Sequence, residues 1–86
     1  MSGEAVPVTA DAVWPDDAAD IEEGVVANWF VREGGQVEEG ETIGEIQVEK
    51  VSVDLPAPTT GRVVELLVRA NQPFERGEPL ARIAPE

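Results

Sequence analysis

The sequence predicts an all-β domain, a flattened sandwich or barrel of two similar small antiparallel sheets. Apolar and polar residues alternate in short runs, such as Ile46 and Val48 and then Val51, Val53 and Leu55, which is the period of a strand with one buried face. Glycine and proline interrupt the chain every few residues, too often for helices of useful length. One stretch of the chain is also repeated. Short strands joined by turns rich in glycine and proline are typical of sandwiches and barrels.

Length and composition limit the chain to one small domain. Its 86 residues, 42% of them apolar, suffice for a single domain of residues 1–86 with a core over about residues 6–83. The sequence has no cysteine and no histidine. Disulfides, thiolate zinc sites, cysteine nucleophiles and histidine general bases are therefore excluded.

The chain is strongly acidic. Eighteen Asp and Glu residues against six Lys and Arg residues give a formal net charge of −12. Nucleic acids and anionic membranes both bind cationic surface, so neither is an expected partner. The acids are scattered among apolar residues instead of gathered in a tail, which favours a folded chain over disorder. The first residues lack signal-peptide character, so the expected location is the cytoplasm, with a bacterial source favoured.

An internal repeat supports the prediction of two similar sheets. A shift of 37 residues aligns residues 24–46 with 61–83 without a gap, and eight of the 23 aligned positions are identical. Gly24 meets Gly61, and the apolar spacing stays in register. Each half is too small to bury its own apolar face, so the two sheets are expected to pack face to face about a pseudo-two-fold axis.

The repeat also predicts the core. Apolar character is kept at matched positions, and the expected core residues are Trp29, Phe30, Val37, Val63, Leu67, Phe74, Leu80 and Ile83. Trp14 has no counterpart in the repeat, so its role stays open. Only Asp16 to Glu23 is suited to a helical turn, and it has few apolar residues to anchor one.

Lys50, the only lysine, lies at the tip of a predicted β-hairpin. The apolar residues have even numbers before it and odd numbers after it, a change that a two-residue loop of Glu49 and Lys50 produces, with Val48 facing Val51. Glu-Lys is poor chemistry for such a turn, which favours Asn-Gly, Asp-Gly or Gly-X. A local rule broken in an otherwise consistent hairpin suggests function, although an ordinary exposed lysine is the alternative. The repeat places the counterpart of this tip where the chain begins and ends, so we expect Lys50 at the opposite end of the domain from both termini.

The motifs around this lysine resemble those of the biotinyl/lipoyl attachment domains, and of the lipoyl branch in particular. Such domains carry an acidic residue and a lysine between valine-rich strands, followed by P-A-P-x-x-G-x-V, here residues 56–63. Upstream they carry E-G-x-(I/V)-x-x-W, here residues 23–29, and V-x-x-G-(D)-x-V-x-x-G-E-x-(L/I)-x-E, here residues 31–45. The resemblance covers about residues 6–83, and it implies the hammerhead-type sandwich of that family.

The chain departs from the family pattern at and near the tip. Lipoyl domains most often have D-K-A where this chain has Glu49-Lys50-Val51; glutamate keeps the charge and valine suits a strand. Biotinyl domains usually place methionine on both sides of the lysine, and the only methionine here is Met1. The family's glycine–aspartate pair is replaced here by Gly35-Gln36, and a glycine of the second half is replaced by Asn71-Gln72. Both changes bear on loop shape and partner choice.

The resemblance implies a carrier that is not itself a catalyst. Lys50 would be joined by an amide to lipoic acid, with biotin the less favoured cofactor, and a lipoyl ligase or octanoyltransferase would form that bond. The implied partners of the loaded arm belong to a 2-oxo acid or acetoin dehydrogenase complex: a thiamine-diphosphate decarboxylase, an acyltransferase core and a dihydrolipoyl dehydrogenase. The arm would shuttle acyl groups and electrons among their active sites.

Residues near the tip are implied in recognition. The tip and recognition residues are Val48, Glu49, Val51, Glu45 and Asp54. The acids among them would pair with basic partner surfaces, or else serve only solubility and protection of a strand edge.

Alternatives from other classes stay open at this point. A biotin carrier domain of a carboxylase would have the same fold and the same lysine with another ligand. An unmodified acidic interaction domain would make Lys50 incidental. A free-standing enzyme ranks last, because no nucleophile–base pair or metal cluster can be assembled without His and Cys, and Asp16, Asp17 and Asp20 lack the pattern of a calcium loop. The sequence decides neither the substrate of the parent system nor whether the chain forms part of a larger acyltransferase.

Overall fold

The computed structural model describes residues 4–86 as eight short strands and two 3₁₀ turns. The strands are β1 (Val6–Val8), β2 (Glu23–Trp29), β3 (Gln36–Val37), β4 (Thr42–Val48), β5 (Val51–Pro56), β6 (Gly61–Leu66), β7 (Pro73–Glu75) and β8 (Ala81–Pro85). The 3₁₀ turns, Asp11–Val13 and Asp16–Ala18, both lie in the long connection between β1 and β2.

The strands form two four-stranded antiparallel sheets. One sheet has the order β1-β8-β6-β3 and the other the order β5-β4-β2-β7. The domain is elongated, with extents of 40 × 19 × 18 Å. The predicted all-β fold of two similar sheets is confirmed.

The two sheets are related by the repeat seen in the sequence. A shift of 37 residues carries β2, β3 and β4 onto β6, β7 and β8, and each strand then has matching neighbours in its sheet. The irregularities match as well. The ladder between β2 and β4 is interrupted between Val26 and Asn28, and the ladder between β6 and β8 between Val63 and Glu65, which are the equivalent positions.

Backbone hydrogen bonds join the two halves in matched pairs. The Gly34 N–H donates to the Val63 carbonyl at 2.7 Å, and the Asn71 N–H donates to the Val26 carbonyl at 2.6 Å. Gly34 and Asn71 both have positive φ, 88° and 72°. Asparagine enters that region more readily than most residues, so the replacement of glycine by Asn71 leaves the geometry of the second half unchanged.

Close backbone packing explains why glycine occurs at the start of both halves. A Cβ on Gly61 would fall on the carbonyl oxygen of Ala84 in the neighbouring strand. At the equivalent Gly24, a Cβ would lie 2.9 Å from Cζ of Phe74. A side chain at either position would therefore force neighbouring groups apart.

The core fills the space between the sheets, and every buried side chain among residues 4–86 is apolar. The largest fully buried side chains are Ile43, Ile46, Leu55, Leu80, Ile83, Val8, Val26, Val37, Val48 and Val63. Of the core residues expected from the repeat, five are buried, namely Val37, Val63, Phe74, Leu80 and Ile83. The half-buried Trp29 packs against this core, and its indole N–H donates to the Val68 carbonyl at 2.8 Å.

The expectation that Phe30 and Leu67 belong to the core is wrong. Their exposed fractions are 55% and 38%. Successive side chains of an extended chain point to opposite sides, and the inner side is taken by the residues before each of them, Trp29 and Leu66, which pack against the core. Because the two positions are equivalent in the repeat, one pattern produced both errors.

Trp14, whose role the sequence left open, anchors the connection between β1 and β2. Its side chain is buried, with 7% exposed, and its indole N–H donates to the Ala18 carbonyl at 2.9 Å. The helical turn expected at Asp16 to Glu23 is limited to the 3₁₀ turn Asp16–Ala18, and Glu23 already begins β2. The expectation that no other segment forms such a turn is wrong, because Asp11–Val13 forms one as well.

Candidate functional site

The hairpin of β4 and β5 has the register that the sequence predicts. Val48 is paired with Val51 and Ile46 with Val53. Glu49 and Lys50 alone connect the two strands. The tip is therefore a two-residue loop with Lys50 at its second position.

Glu49 makes this tight loop possible by taking a backbone conformation unusual for its type. Its φ is 57°, the sign that the first central residue of both favoured hairpin turns requires. A residue with a Cβ is disfavoured there by about 1–2 kcal/mol. The broken turn rule seen in the sequence is thus a real local strain, and it lies directly beside Lys50.

Lys50 projects from a firmly anchored base. The side chains of Glu49 and Lys50 are exposed, whereas Val48, one residue before the loop, is fully buried in the core. Val51, its partner across the ladder, is 38% exposed because it lies at the end of an edge strand. In the described part of the chain, the one ion pair joins Arg82 to Glu65 and leaves Lys50 outside it. The amine is therefore accessible on a fixed support.

The predicted recognition acids flank the hairpin at some distance from its tip. Glu45 and Asp54 are directly paired across the β4–β5 ladder. They lie three ladder positions from the Val48–Val51 pair, which is about 10 Å along the strands. Glu45 is half-buried and Asp54 exposed. Like charges placed opposite one another destabilise a ladder. Glu45 and Asp54 therefore make this surface of the hairpin more negative, and they do not stabilise the sheet.

The tip and the last residue of the chain lie at opposite ends of the domain. The Glu86 N–H donates to the Thr60 carbonyl at 3.1 Å, and the Glu39 N–H donates to Thr60 Oγ1 at 2.9 Å. The Ala57 N–H in turn donates to the Glu41 carbonyl at 2.8 Å. These bonds tie Glu86 to the base of the β4–β5 hairpin, so Lys50 points away from it.

Three grooves on the surface of residues 4–86 are lined by residues other than Lys50. One of them, of about 480 Å³, is lined by Trp29, Phe30, Arg32 and Glu41 among others. Within residues 4–86, no three His, Cys, Asp or Glu side chains are grouped closely enough to hold a metal ion. No helix in the same range is long and apolar enough to cross a membrane.

Sequence reasoning missed the clamp that holds the long connection near this end of the sheet. The guanidinium carbon of Arg76 lies 5.3 Å from the ring centroid of Trp14, and its Nη1 donates to the Ala19 carbonyl at 2.8 Å. Trp14 also contacts Phe74 edge-to-face, with ring centroids 6.1 Å apart. The contacts join residues far apart in sequence, and only the missing repeat partner of Trp14 marked it as unusual.

Comparison with known proteins identifies the family of the chain. Residues 11–83 match the sequence profile of the biotin/lipoyl family, described as "Biotin-requiring enzyme". In Staphylococcus aureus, the dihydrolipoyllysine-residue acetyltransferase component of the pyruvate dehydrogenase complex is 34% identical over 69 residues. The same component of Staphylococcus epidermidis is 34% identical over the same length. Each alignment covers 80% of this chain and 16% of the relative, so the chain spans about a sixth of the length of these proteins.

A solved structure agrees in fold. The lipoyl domain of the 2-oxoglutarate dehydrogenase complex from Azotobacter vinelandii superposes with a TM-score of 0.69 at 23% identity, over 95% of this chain and 96% of that one. A small two-sheet domain that presents one lysine on a tight hairpin is suited to the role of a carrier domain. The chain belongs to the biotinyl/lipoyl attachment family, and within that family it resembles the lipoyl domains.

Proposed function

We propose that Lys50 is the attachment residue for lipoic acid. The observation that carries this proposal is the placement of the only lysine on a two-residue tip directly above a fully buried valine. Such a residue offers its amine to an enzyme while its backbone stays fixed. The residues present fit the group, because an exposed amine on a four-carbon stem needs no cavity to accept an acyl chain.

Lys50 takes part in one covalent step. Its uncharged Nζ attacks the carbonyl carbon of an activated lipoyl group, the bond from that carbon to its leaving group breaks, and a proton passes from Nζ to a base of the transferase. The product is an amide that no longer carries a positive charge. When bound, lipoic acid supplies a dithiolane that carries acyl groups and electrons.

The remaining residues of the site position and identify the lysine. Val48 and Val51 fix the two ends of the loop, and the strained Glu49 keeps it short. Glu45, Glu49 and Asp54 give the tip a negative field, which favours fast and selective encounter with basic surfaces. Tethering the group to a domain raises its concentration at each partner site.

We further infer the partners from the family. They are a lipoyl ligase or octanoyltransferase for loading, followed by the thiamine-diphosphate decarboxylase, the acyltransferase core and the dihydrolipoyl dehydrogenase of a 2-oxo acid dehydrogenase complex. The staphylococcal relatives belong to one such complex, that of pyruvate. These relatives are bacterial, which supports a bacterial and cytoplasmic setting for this carrier.

The proposal is tested by acylation of the purified chain in vitro. The chain is incubated with a lipoyl ligase, lipoate and ATP, and in parallel with a biotin ligase and biotin, and its intact mass is measured. The wild type should gain one lipoyl group, located on the peptide that contains Lys50. Lys50→Arg, which keeps the charge and the length of the side chain, should gain none.

Other outcomes contradict the proposal in distinguishable ways. A biotin adduct without a lipoyl adduct would make the domain a biotin carrier with the same attachment residue. A lipoyl adduct retained by Lys50→Arg would place the attachment elsewhere. An unmodified wild type in both reactions would leave an acidic interaction domain.

A further inference from the structure

The four edge strands of the sheets, all within residues 4–86, differ in how easily another chain could pair with them. β1 has three residues with Pro7 at its centre, β3 has two residues, and β7 has three residues beginning with Pro73. Short length and proline both prevent an added strand from pairing. β5, the fourth edge, has six residues, and its only proline is Pro56, the last of them. The hairpin that carries Lys50 therefore has the one long edge in this part of the chain.

The outward hydrogen-bonding groups of this edge belong to Ser52 and Asp54. Val48 and Val51 flank a two-residue loop and so form a hydrogen-bonded pair, and bonded and non-bonded pairs alternate along an antiparallel ladder. Ser52 and Asp54 occupy the non-bonded positions, so their backbone N–H and C=O groups point away from β4. Within residues 4–86, no backbone group forms a hydrogen bond with the outward N–H and C=O groups of Ser52 and Asp54.

The open part of this edge is the half beside Lys50. The 3₁₀ turn Asp11–Val13 packs against β5, and Ala12 and Pro56 line the same groove, so this turn lies beside the far half of the strand. Ser52 and Asp54, in contrast, are exposed. A strand added here would begin within two residues of Lys50.

We propose that the open edge of β5 receives an extended strand of the enzyme that acylates Lys50. This inference rests on the proposed lipoylation and names how its enzyme docks. The acylating enzyme must bring an activated carbonyl carbon to Nζ itself, on a stem of only four carbons, so it must hold the backbone beside Lys50 in register. Backbone pairing along β5 supplies that register. Partners that act on the loaded arm contact the dithiolane at the far end of the arm. They therefore do not need to hold the backbone beside Lys50 in register.

The charge of the edge indicates the composition of the added strand. Glu45, Glu49 and Asp54 lie on the hairpin that carries the open half, and Lys50 is the one cation within residues 45–54. Lysine or arginine side chains on the incoming strand would face these carboxylates, and like-charged strands would be repelled. We therefore expect a basic strand.

Removal of the outward N–H groups tests the proposal. Ser52→Pro and Asp54→Pro delete a donor on the open side and leave the β4 ladder intact, whereas Ser52→Ala and Asp54→Ala change only the side chain. We expect kcat/KM for lipoylation by the ligase to fall about tenfold or more in the proline variants relative to their alanine controls. Thermal unfolding of each variant shows whether the domain is still folded.

Hydrogen exchange provides a second measurement that needs no proline. Lys50→Arg, which cannot be acylated, is mixed with the ligase, and exchange of individual backbone amides is followed by NMR. The amides of Ser52 and Asp54 should become protected in the complex. The amide of Val64, a residue in the opposite sheet, serves as the internal control.

The outcomes separate this inference from the proposed function. Equal rates for proline and alanine variants, with no protection of Ser52 and Asp54, would overturn the docking mode while lipoylation of the wild type still stands. Protection of these amides in the chain alone, growing with its concentration, would assign the edge to a second copy. Protection when the chain is mixed with the decarboxylase, but not when it is mixed with the ligase, would assign the edge to that partner. Either result overturns the inference. A wild type that is not acylated at Lys50 would instead overturn the proposed function.

Discussion

At the scale of single residues, Glu49 is the clearest sign that the tip is shaped for more than folding. It holds a positive φ of 57° at a position where glycine or asparagine would fit with less strain. Strain of this kind persists where surrounding structure enforces it, and it is common at functional sites. Here the buried Val48 and the paired Val51 enforce it, and a carboxylate stays beside Lys50.

The strain at Glu49 predicts an unusual tolerance to glycine at residue 49. Glu49→Gly relieves about 1–2 kcal/mol of strain but adds freedom to the unfolded chain at a cost of about 0.5–1 kcal/mol, so the free energy of unfolding should stay the same or rise by up to about 1.5 kcal/mol. Ser52→Gly, at an exposed strand position three residues away, should lose about 1 kcal/mol. Urea unfolding of both variants measures the difference. Equal losses would show that Glu49 is not strained.

At the scale of elements, the long connection between β1 and β2 is held by a few side-chain contacts and not by regular structure. Trp14 is buried against Phe74, and Arg76 lies over the Trp14 ring and donates to the Ala19 carbonyl. The Arg76 N–H also donates to the Glu22 carbonyl at 2.7 Å. These contacts fasten a segment rich in aspartate to β7, the edge strand of the sheet that carries the hairpin.

Loss of this clamp should weaken the fold measurably. Arg76→Ala removes a cation–π contact and a hydrogen bond, and we expect it to lower the free energy of unfolding by about 1–2 kcal/mol. Arg69→Ala removes the same charge from an exposed arginine with no such contacts, and it should change stability by less than about 0.5 kcal/mol. Urea midpoints with unchanged m-values would establish the comparison. A similar loss in both variants would mean that charge, and not the clamp, determines the effect.

Prediction from sequence succeeded for elements where local pattern and packing agree. The change of parity around Lys50 predicted the Val48–Val51 register, because a two-residue loop leaves only one way to keep apolar side chains on one face. It failed at Phe30 and Leu67, where consecutive apolar residues hide which of them faces inward. The Arg76 clamp could not be predicted, since nothing local links Arg76 to Trp14.

At the scale of the whole molecule, the pseudo-two-fold repeat explains how so small a chain presents its lysine. Two matched sheets close one apolar core, with equivalent bulges and equivalent bonds between the halves. The hairpin tip lies at one end of a domain 40 Å long, and Glu86 is tied to the other end of the hairpin. The domain thus holds Lys50, the proposed attachment residue, away from Glu86.

The central claim is that Lys50 carries a lipoyl group, and the intact mass of the protein purified from its own source tests it most directly. Peptide mapping then locates any added mass, with the recombinant Lys50→Arg chain as the unmodified reference. We expect a lipoyl-sized increment confined to the peptide that contains Lys50. An unmodified Lys50 in the native protein, or a biotin-sized increment on that peptide, would contradict it.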